Sequence, residues 1–210
     1  MSERKPLTSY RAPGTWPGWI GMGLLRLVCL LPHRIALASG RLLGRLVHAL
    51  GGSRRAVARR NIELCFPELT PGERDQLTRE HFKALGIAVI EMGLGRWASL
   101  RRLDAITTMT GIEHVRQALD AGRGVILLSA HFTTLKVMGR ILAREIPPFD
   151  AVFRKSRSEF MTELQRSGRE VSADTTIEKR DIKNKVRRLR QGRAVRYLSL
   201  IHISEPTRPT

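Results

Sequence analysis

The chain has 210 residues, enough for one domain with a sizeable core and too few for two of ordinary size. Lysine and arginine number 37 against 19 acidic residues, a net charge of +18, while aromatic residues make up 5%, so the surface seeks anions and is poorly equipped to stack single-stranded bases. Two cysteines, Cys29 and Cys65, give no disulfide framework and no zinc site and suit a reducing compartment, and without a Walker loop or dinucleotide fingerprint no nucleotide cofactor is expected.

Residues 1–15, with Arg4, Lys5, Pro6, Arg11 and Pro13, read as a polar lead-in. Trp16-Pro17-Gly18-Trp19 then opens an apolar stretch that runs to Leu31, interrupted by Arg26. It is short against the roughly 20 residues a span requires, and no small-residue cleavage site follows, so an uncleaved N-terminal membrane helix is expected. Residues 35–50, together with the preceding Arg34, set Arg34, Arg41 and Arg45 on one helical side and Leu42, Leu43, Leu46, Val47 and Leu50 mostly elsewhere, the pattern of a helix lying in the interface. Trp16 and Trp19 suit the headgroup level. A buried core helix is the competing reading.

A basic stretch, residues 53–61, follows Gly51-Gly52. Thr70-Pro71-Gly72-Glu73 predicts a helix start with a capping box, and the helix extends to about Leu94 with Leu77, Phe82, Leu85, Val89 and Met92 as its buried face. Residues 111–121 predict a short helix broken by Gly122-Arg123-Gly124. The run Val125-Ile126-Leu127-Leu128-Ser129-Ala130 predicts a central strand buried on both faces. Ala151-Val152-Phe153 predicts a second strand, residues 179–191 a basic helix, and Ala194-Val195 the start of a third strand. Strands alternating with helices indicate an α/β domain with a largely parallel central sheet.

His131 directly follows the best strand, where open α/β sheets hold their ligands. His131-Phe132-Thr133-Thr134-Leu135-Lys136 resembles the His-x4-Glu/Asp box of the bacterial lipid A late acyltransferases, within the wider glycerolipid acyltransferase family. Arg60-Asn61-Ile62-Glu63-Leu64-Cys65-Phe66-Pro67-Glu68 is similar to that family's N-terminal segment, Val152-Phe153-Arg154-Lys155 to its basic substrate-binding place, and residues 178–192 to its later basic helix. The resemblance runs from about Trp16 to Tyr197. It implies a glycerolipid acyltransferase-like fold, with His131 as general base, Lys136 standing where the family has the acid that orients this histidine, and Arg154 as the residue that meets the substrate's phosphate. It also implies transfer of a fatty acyl group from acyl carrier protein to a hydroxyl of a lipid A precursor, on the cytoplasmic side of the inner membrane. Acyl carrier protein, the precursor and the membrane would be the partners, with no nucleic acid and no cofactor beyond the donor substrate.

The residues themselves leave two sites with structural alternatives: Arg154 also reads as a solvated surface arginine, and Ser129, outside any G-x-S-x-G elbow, reads as structural. The charge keeps one other function class open, a noncatalytic basic protein bound to anionic lipid or nucleic acid. Beyond Val195 the family continues with Trp-Tyr and a Pro-Asp-Gln-type block, whereas this chain has Arg196-Tyr197-Leu198-Ser199. Residues 198–210 resemble a translated sequencing adapter. The expected organisation is therefore a lead-in at 1–15, an anchor and interfacial helix at 16–50, an incomplete acyltransferase domain at 51–197, and a non-native tail at 198–210.

Overall fold

The computed structural model describes residues 7–10, 12–130, 132–153, 158–169 and 171–198. Two compact units emerge, one formed by residues 20–98 and the other by residues 1–19 with 99–210.

The first unit is helical: α1 (Trp16–Leu30, of which all but the first turn belongs here), α2 (His33–Leu50), α3 (Gly52–Cys65) and α4 (Pro71–Trp97). The capping box is present as expected. Thr70 Oγ1 accepts from the Glu73 backbone N–H at 3.4 Å, and the Glu73 carboxylate accepts from the Thr70 backbone N–H at 2.7 Å. The Thr70 hydroxyl, which donates to the exposed Glu73 carboxylate at 2.6 Å, and then the Thr70 backbone N–H hold that carboxyl below the usual glutamate range.

The buried face of α4 differs from the expected one. Leu85, Val89 and Met92 are 46%, 39% and 51% exposed, and the buried stripe is instead Thr78, Phe82, Gly86, Ile90 and Leu94. The cause is α2, which buries its small residues Ala36, Gly40 and Gly44 and leaves Leu42, Leu43, Leu46 and Leu50 exposed. Helices that meet through glycines come closer than leucines allow, and the leucines are then turned outward. A Cβ on Gly86 would lie 2.0 Å from the Gly40 carbonyl oxygen and 2.6 Å from the Gly44 nitrogen. Gly86→Ala should therefore lower stability by about 1–3 kcal/mol although alanine is the better helix former; a rise in the urea unfolding midpoint would contradict this contact.

The expected N-terminal membrane helix requires correction in its spanning form. Helix α1 has 15 residues and is followed by Pro32, the N-cap of α2, and no helix among the described residues is long and apolar enough to cross a membrane. The Sγ of Cys29, the buried residue of α1, lies 2.5 Å from where a Cβ on Gly93 would be and 3.7 Å from the Ile90 carbonyl oxygen.

The second unit alternates helices and strands: α5 (Leu100–Asp104), α6 (Ile112–Asp120), β1 (Val125–Ser129), α7 (Leu135–Glu145), β2 (Asp150–Phe153), α8 (Glu159–Arg169), β3 (Thr175–Glu178), α9 (Ile182–Arg190) and β4 (Ala194–Leu198). All described strand pairings are parallel, in the order β1-β4-β2-β3, as the α/β reading requires. The strand expected at the centre, β1, instead lies at the edge of the sheet formed by the described residues, beside β4. Its side chains alternate, with Val125 and Leu127 packed against the core of Ile146, Phe149, Ala151, Ala173 and Ala194, and Ile126 and Leu128 61% and 69% exposed. An apolar run marks a strand without saying which neighbours cover it.

Two clusters tie this unit together. Asp150, fully buried at the start of β2, accepts from Arg193 Nε at 3.1 Å and Nη2 at 3.3 Å and pairs with Arg188 Nε at 3.4 Å. Arg193 Nη2 also donates to Asp174 at 2.6 Å, and these carboxylates, Asp150 foremost, raise its guanidinium's affinity for its proton. At the chain's N-terminal end Trp19 Nε1 donates to the Tyr10 carbonyl at 2.8 Å, and the rings of Tyr10 and Trp19 each lie 5.8 Å from that of Phe160 on α8. Trp19 is therefore a packing residue with its N–H satisfied inside the unit, while Trp16 remains 58% exposed.

Candidate active site

The site expected from the sequence follows β1. The strand ends at Ser129, whose hydroxyl lies 3.2 Å from the Ala130 carbonyl and whose backbone is in register with Leu198. Helix α7 then begins at Leu135, after a turn in which the Leu135 N–H reaches the Phe132 carbonyl at 3.3 Å and the Met138 N–H the Thr134 carbonyl at 3.0 Å. His131, within this strand-to-helix connection, lies outside the described residues, and so does Arg154, which follows the last residue of β2. Residues 199–210 of the expected tail also lie outside them, whereas Leu198 is the last residue of β4.

Lys136 is described. It is the second residue of α7, half-buried, and it lines a pocket of about 60 Å³ together with Leu135, Phe149, Ala151, Ser172 and Arg196, among others. The pocket receives two cationic side chains from different elements, and no acidic residue lines it among the described residues.

Arg196 is the residue that sequence reasoning noted only as a departure from the family pattern. It occupies the middle of β4, opposite Leu127 of β1 and Ala151 of β2, two positions that pack on the core. Its Nη2 donates to the Leu135 carbonyl at 2.9 Å, linking β4 to the start of α7. The guanidinium lies against the backbone of Gly139: a Cβ there would sit 2.6 Å from Arg196 Nη1 and 3.2 Å from Ser172 Oγ. A side chain at position 139 would have to displace the end of the arginine from this place. The signal available in the sequence was parity. Ala194 and Arg196 are two apart in a strand and so share one face, and Ala194 is buried.

The bordering helices are fixed by ion pairs. Arg144, near the C-terminal end of α7, pairs with Asp104 and Glu145, and Arg116 of α6 donates to the Glu145 carboxylate at 2.5 Å and to the Glu145 carbonyl at 2.8 Å. The Arg144 hydrogen bond, followed by weaker attraction to Arg116, holds the Glu145 carboxyl below its ordinary range. These exposed pairs orient α7 more than they stabilise it.

The sequence model of the family described as bacterial lipid A biosynthesis acyltransferase matches residues 3–199. The chain belongs to this family. Among curated relatives, the lipid A biosynthesis lauroyltransferase of Escherichia coli (strain K12) is 31% identical over 190 residues, 90% of this chain and 62% of the relative. The palmitoleoyltransferase of the same organism is 30% identical over 183 residues, 87% of this chain and 60% of the relative. A lipid A biosynthesis acyltransferase of Haemophilus influenzae is 30% identical over 190 residues, 90% of this chain and 60% of the relative. This lipid A acyltransferase family chain thus spans about three fifths of the length of these relatives.

Proposed function

We propose that the protein transfers a fatty acyl group from acyl carrier protein to a hydroxyl of a lipid A precursor. The observation that carries this is the family match over residues 3–199, supported by three relatives named for transfer of an acyl group in lipid A biosynthesis. In this reading His131 takes the proton of the acceptor hydroxyl as its oxygen attacks the thioester carbonyl carbon. The tetrahedral intermediate then collapses, the carrier's thiolate leaves, and the imidazolium returns the proton to it. Arg154 binds a phosphate of the precursor, for which its planar fork is suited. Lys136 stands at the place of the orienting acid, so this chain's own transfer is slow. The donor enters as a substrate, and the chemistry calls for no other cofactor. Incubation with acyl carrier protein bearing a fatty acyl group and a lipid A precursor, followed by mass spectrometry, tests the reading: an added ester-linked chain supports it, and its absence in a chimera that carries a relative's C-terminal part and Lys136→Glu overturns it.

The reaction's acceptor is a lipid, and we place the protein at the cytoplasmic face of the inner membrane with α1 and α2 in the interface. Ile20, Leu24 and Leu27 recur at helical spacing on α1 and are 61%, 60% and 62% exposed, and Leu42, Leu46 and Leu50 on α2 are 55%, 51% and 85% exposed. Water-facing leucines in such number are costly, and an acyl-chain boundary offsets that cost while the +18 charge meets anionic headgroups. The protein should float with anionic vesicles, and the combined change Ile20→Ser, Leu24→Ser and Leu27→Ser should reduce vesicle binding by an order of magnitude or more. Undiminished flotation would remove α1 from the interface.

A further inference from the structure

We propose that the outer face of α9 docks an acidic helical face of the carrier protein that presents the acyl donor. The inner side of the helix is pinned to the sheet: Arg188 turns to the buried Asp150, Lys185 Nζ lies 5.2 Å from the centroid of the Tyr197 ring, and the backbone at Leu189 meets Gly124. Ile182, Lys183, Val186, Arg187 and Arg190 are its exposed residues. At 3.6 residues per turn they fall within one arc of about 140°, with Ile182 and Val186 along one border and the three cations filling the rest.

The charge of this face, rather than any free donor, carries the inference. Arg187 Nη2 already donates to Asn184 Oδ1 at 2.7 Å, and an amide partner leaves the guanidinium's charge in place. From Lys179 to Arg190 the one acidic residue is Asp181, whose carboxylate accepts the Asn184 N–H at 3.0 Å as the helix N-cap. Cations in the last turn suit the negative end of the helix dipole, so the helix alone accounts for Arg187 and Arg190. It does not account for Lys183 in the first turn, where the dipole disfavours a cation, nor for Ile182 and Val186, 67% and 41% exposed beside it.

Those two apolar residues select a protein among anionic partners. A phosphate backbone has no use for them, and the face has no aromatic ring on which a base could stack. At about 13 Å the helix matches one helix of a small partner, with apolar contact beside a charged rim. Its place points to the donor. The described strands all run parallel, so the end of β3, which leads into α9, stands at the same end of the sheet as the end of β1, which leads into the connection containing His131. The order β1-β4-β2-β3 sets these strand ends three spacings apart, about 14 Å, a separation for a flexible thioester arm to bridge. The choice of this occupant rests on the acyltransferase reading.

The test titrates the full chain into fluorescently labelled acyl carrier protein bearing an amide-linked acyl chain, which cannot transfer, and reads anisotropy at two ionic strengths. Lys183→Gln, Arg187→Gln and Arg190→Gln together should weaken binding about 10- to 100-fold and flatten its salt dependence. Ile182→Ser with Val186→Ser should weaken it about 10-fold at unchanged charge. The control Arg54→Gln, Arg79→Gln and Arg101→Gln removes the same charge from exposed positions elsewhere and should change binding less than about 3-fold. Unfolding midpoints check each fold, and Lys183→Gln alone, with a smaller loss, serves if the triple variant does not fold. Anionic vesicles provide a second arm: a loss of vesicle binding in the α9 triple as large as its loss of carrier binding would assign the face to lipid and overturn the proposal. Equal losses in the α9 and control triples, or no saturable binding of the carrier, would overturn it as well. Transfer by the chimera carrying Lys136→Glu reports separately on the acyltransferase reading, so carrier binding that depends on α9 without any transfer would leave the docking surface standing and that reading fallen.

Discussion

Lys136→Glu should raise acyl transfer by several orders of magnitude, measured in a chimera in which the C-terminal part of a relative follows residue 197. A carboxylate at this place accepts the N–H of an imidazole, fixes the tautomer that leaves the other nitrogen free as base, and stabilises the imidazolium formed as the acceptor is deprotonated. Lysine does none of these, because an ammonium has donors only and its charge disfavours a second positive charge beside it. The size of the effect follows a catalytic triad, in which neutralising the orienting aspartate costs about 10⁴-fold in kcat. The surroundings favour the change. Position 136 sits in the first turn of α7, where a negative charge is stabilised by the helix dipole, and Arg196 lining the same pocket would keep the new carboxylate ionised. Equal rates before and after the change would show that transfer needs no orienting acid at this position.

Asp150→Ala should cost about 3 kcal/mol of stability, the largest single-residue loss expected in the second unit. The carboxylate is fully buried, and Arg193 and Arg188, whose side chains are 25% and 27% exposed, converge on it. Its removal leaves two guanidinium groups at the start of the sheet with Asp174 as the remaining carboxylate of the cluster, bound to Arg193 at 2.6 Å. The partial exposure of both arginines sets the estimate at the lower end of the range for breaking a buried pair. The cluster joins the first residue of β2, the residue before β4 and the last turns of α9, so its loss loosens three elements at once. Denaturant unfolding of Asp150→Ala, Arg193→Met and the double variant measures this: the double variant should lose clearly less than the sum of the single ones. Strict additivity, or a loss for Asp150→Ala under 1 kcal/mol, would show that the cluster is incidental.

What the sequence made legible was local. The capping box at Thr70 and Glu73 could be read because four consecutive residues contain the whole device. The helices over residues 112–120 and 182–190 and the strands at Val125 and Ala194 declare themselves through periodicity and bounding glycines. Two errors share a cause. Hydrophobic periodicity places Leu77, Phe82, Leu85, Val89 and Met92 on the buried face of α4 and holds for Phe82, but it does not register glycine, and Gly40, Gly44 and Gly86 decide how α2 and α4 approach. The strand β1 was set at the centre of the sheet because its residues are apolar, although strand order is a matter of remote partners. The strand β3, Thr-Thr-Ile-Glu, carries no such signal, having one apolar residue and a pairing with β2 that only the fold reveals.

The candidate site divides in the same way. Lys136 was singled out from the spacing of the box that contains it, a local property. That Arg196 meets it in one pocket depends on the register of β4 with β1 and β2 and on the closeness of Gly139, neither of which a linear reading supplies.

The central claim, that this chain carries the base of an acyl transfer reaction at His131, is tested most directly by one rate. In the chimera carrying Lys136→Glu, transfer from acyl carrier protein to a lipid A precursor is followed by mass spectrometry with and without His131→Ala, the fold of both being checked by their unfolding midpoints. The account predicts that His131→Ala abolishes transfer while leaving the midpoint in place. Transfer that persists at a comparable rate without the imidazole would contradict it.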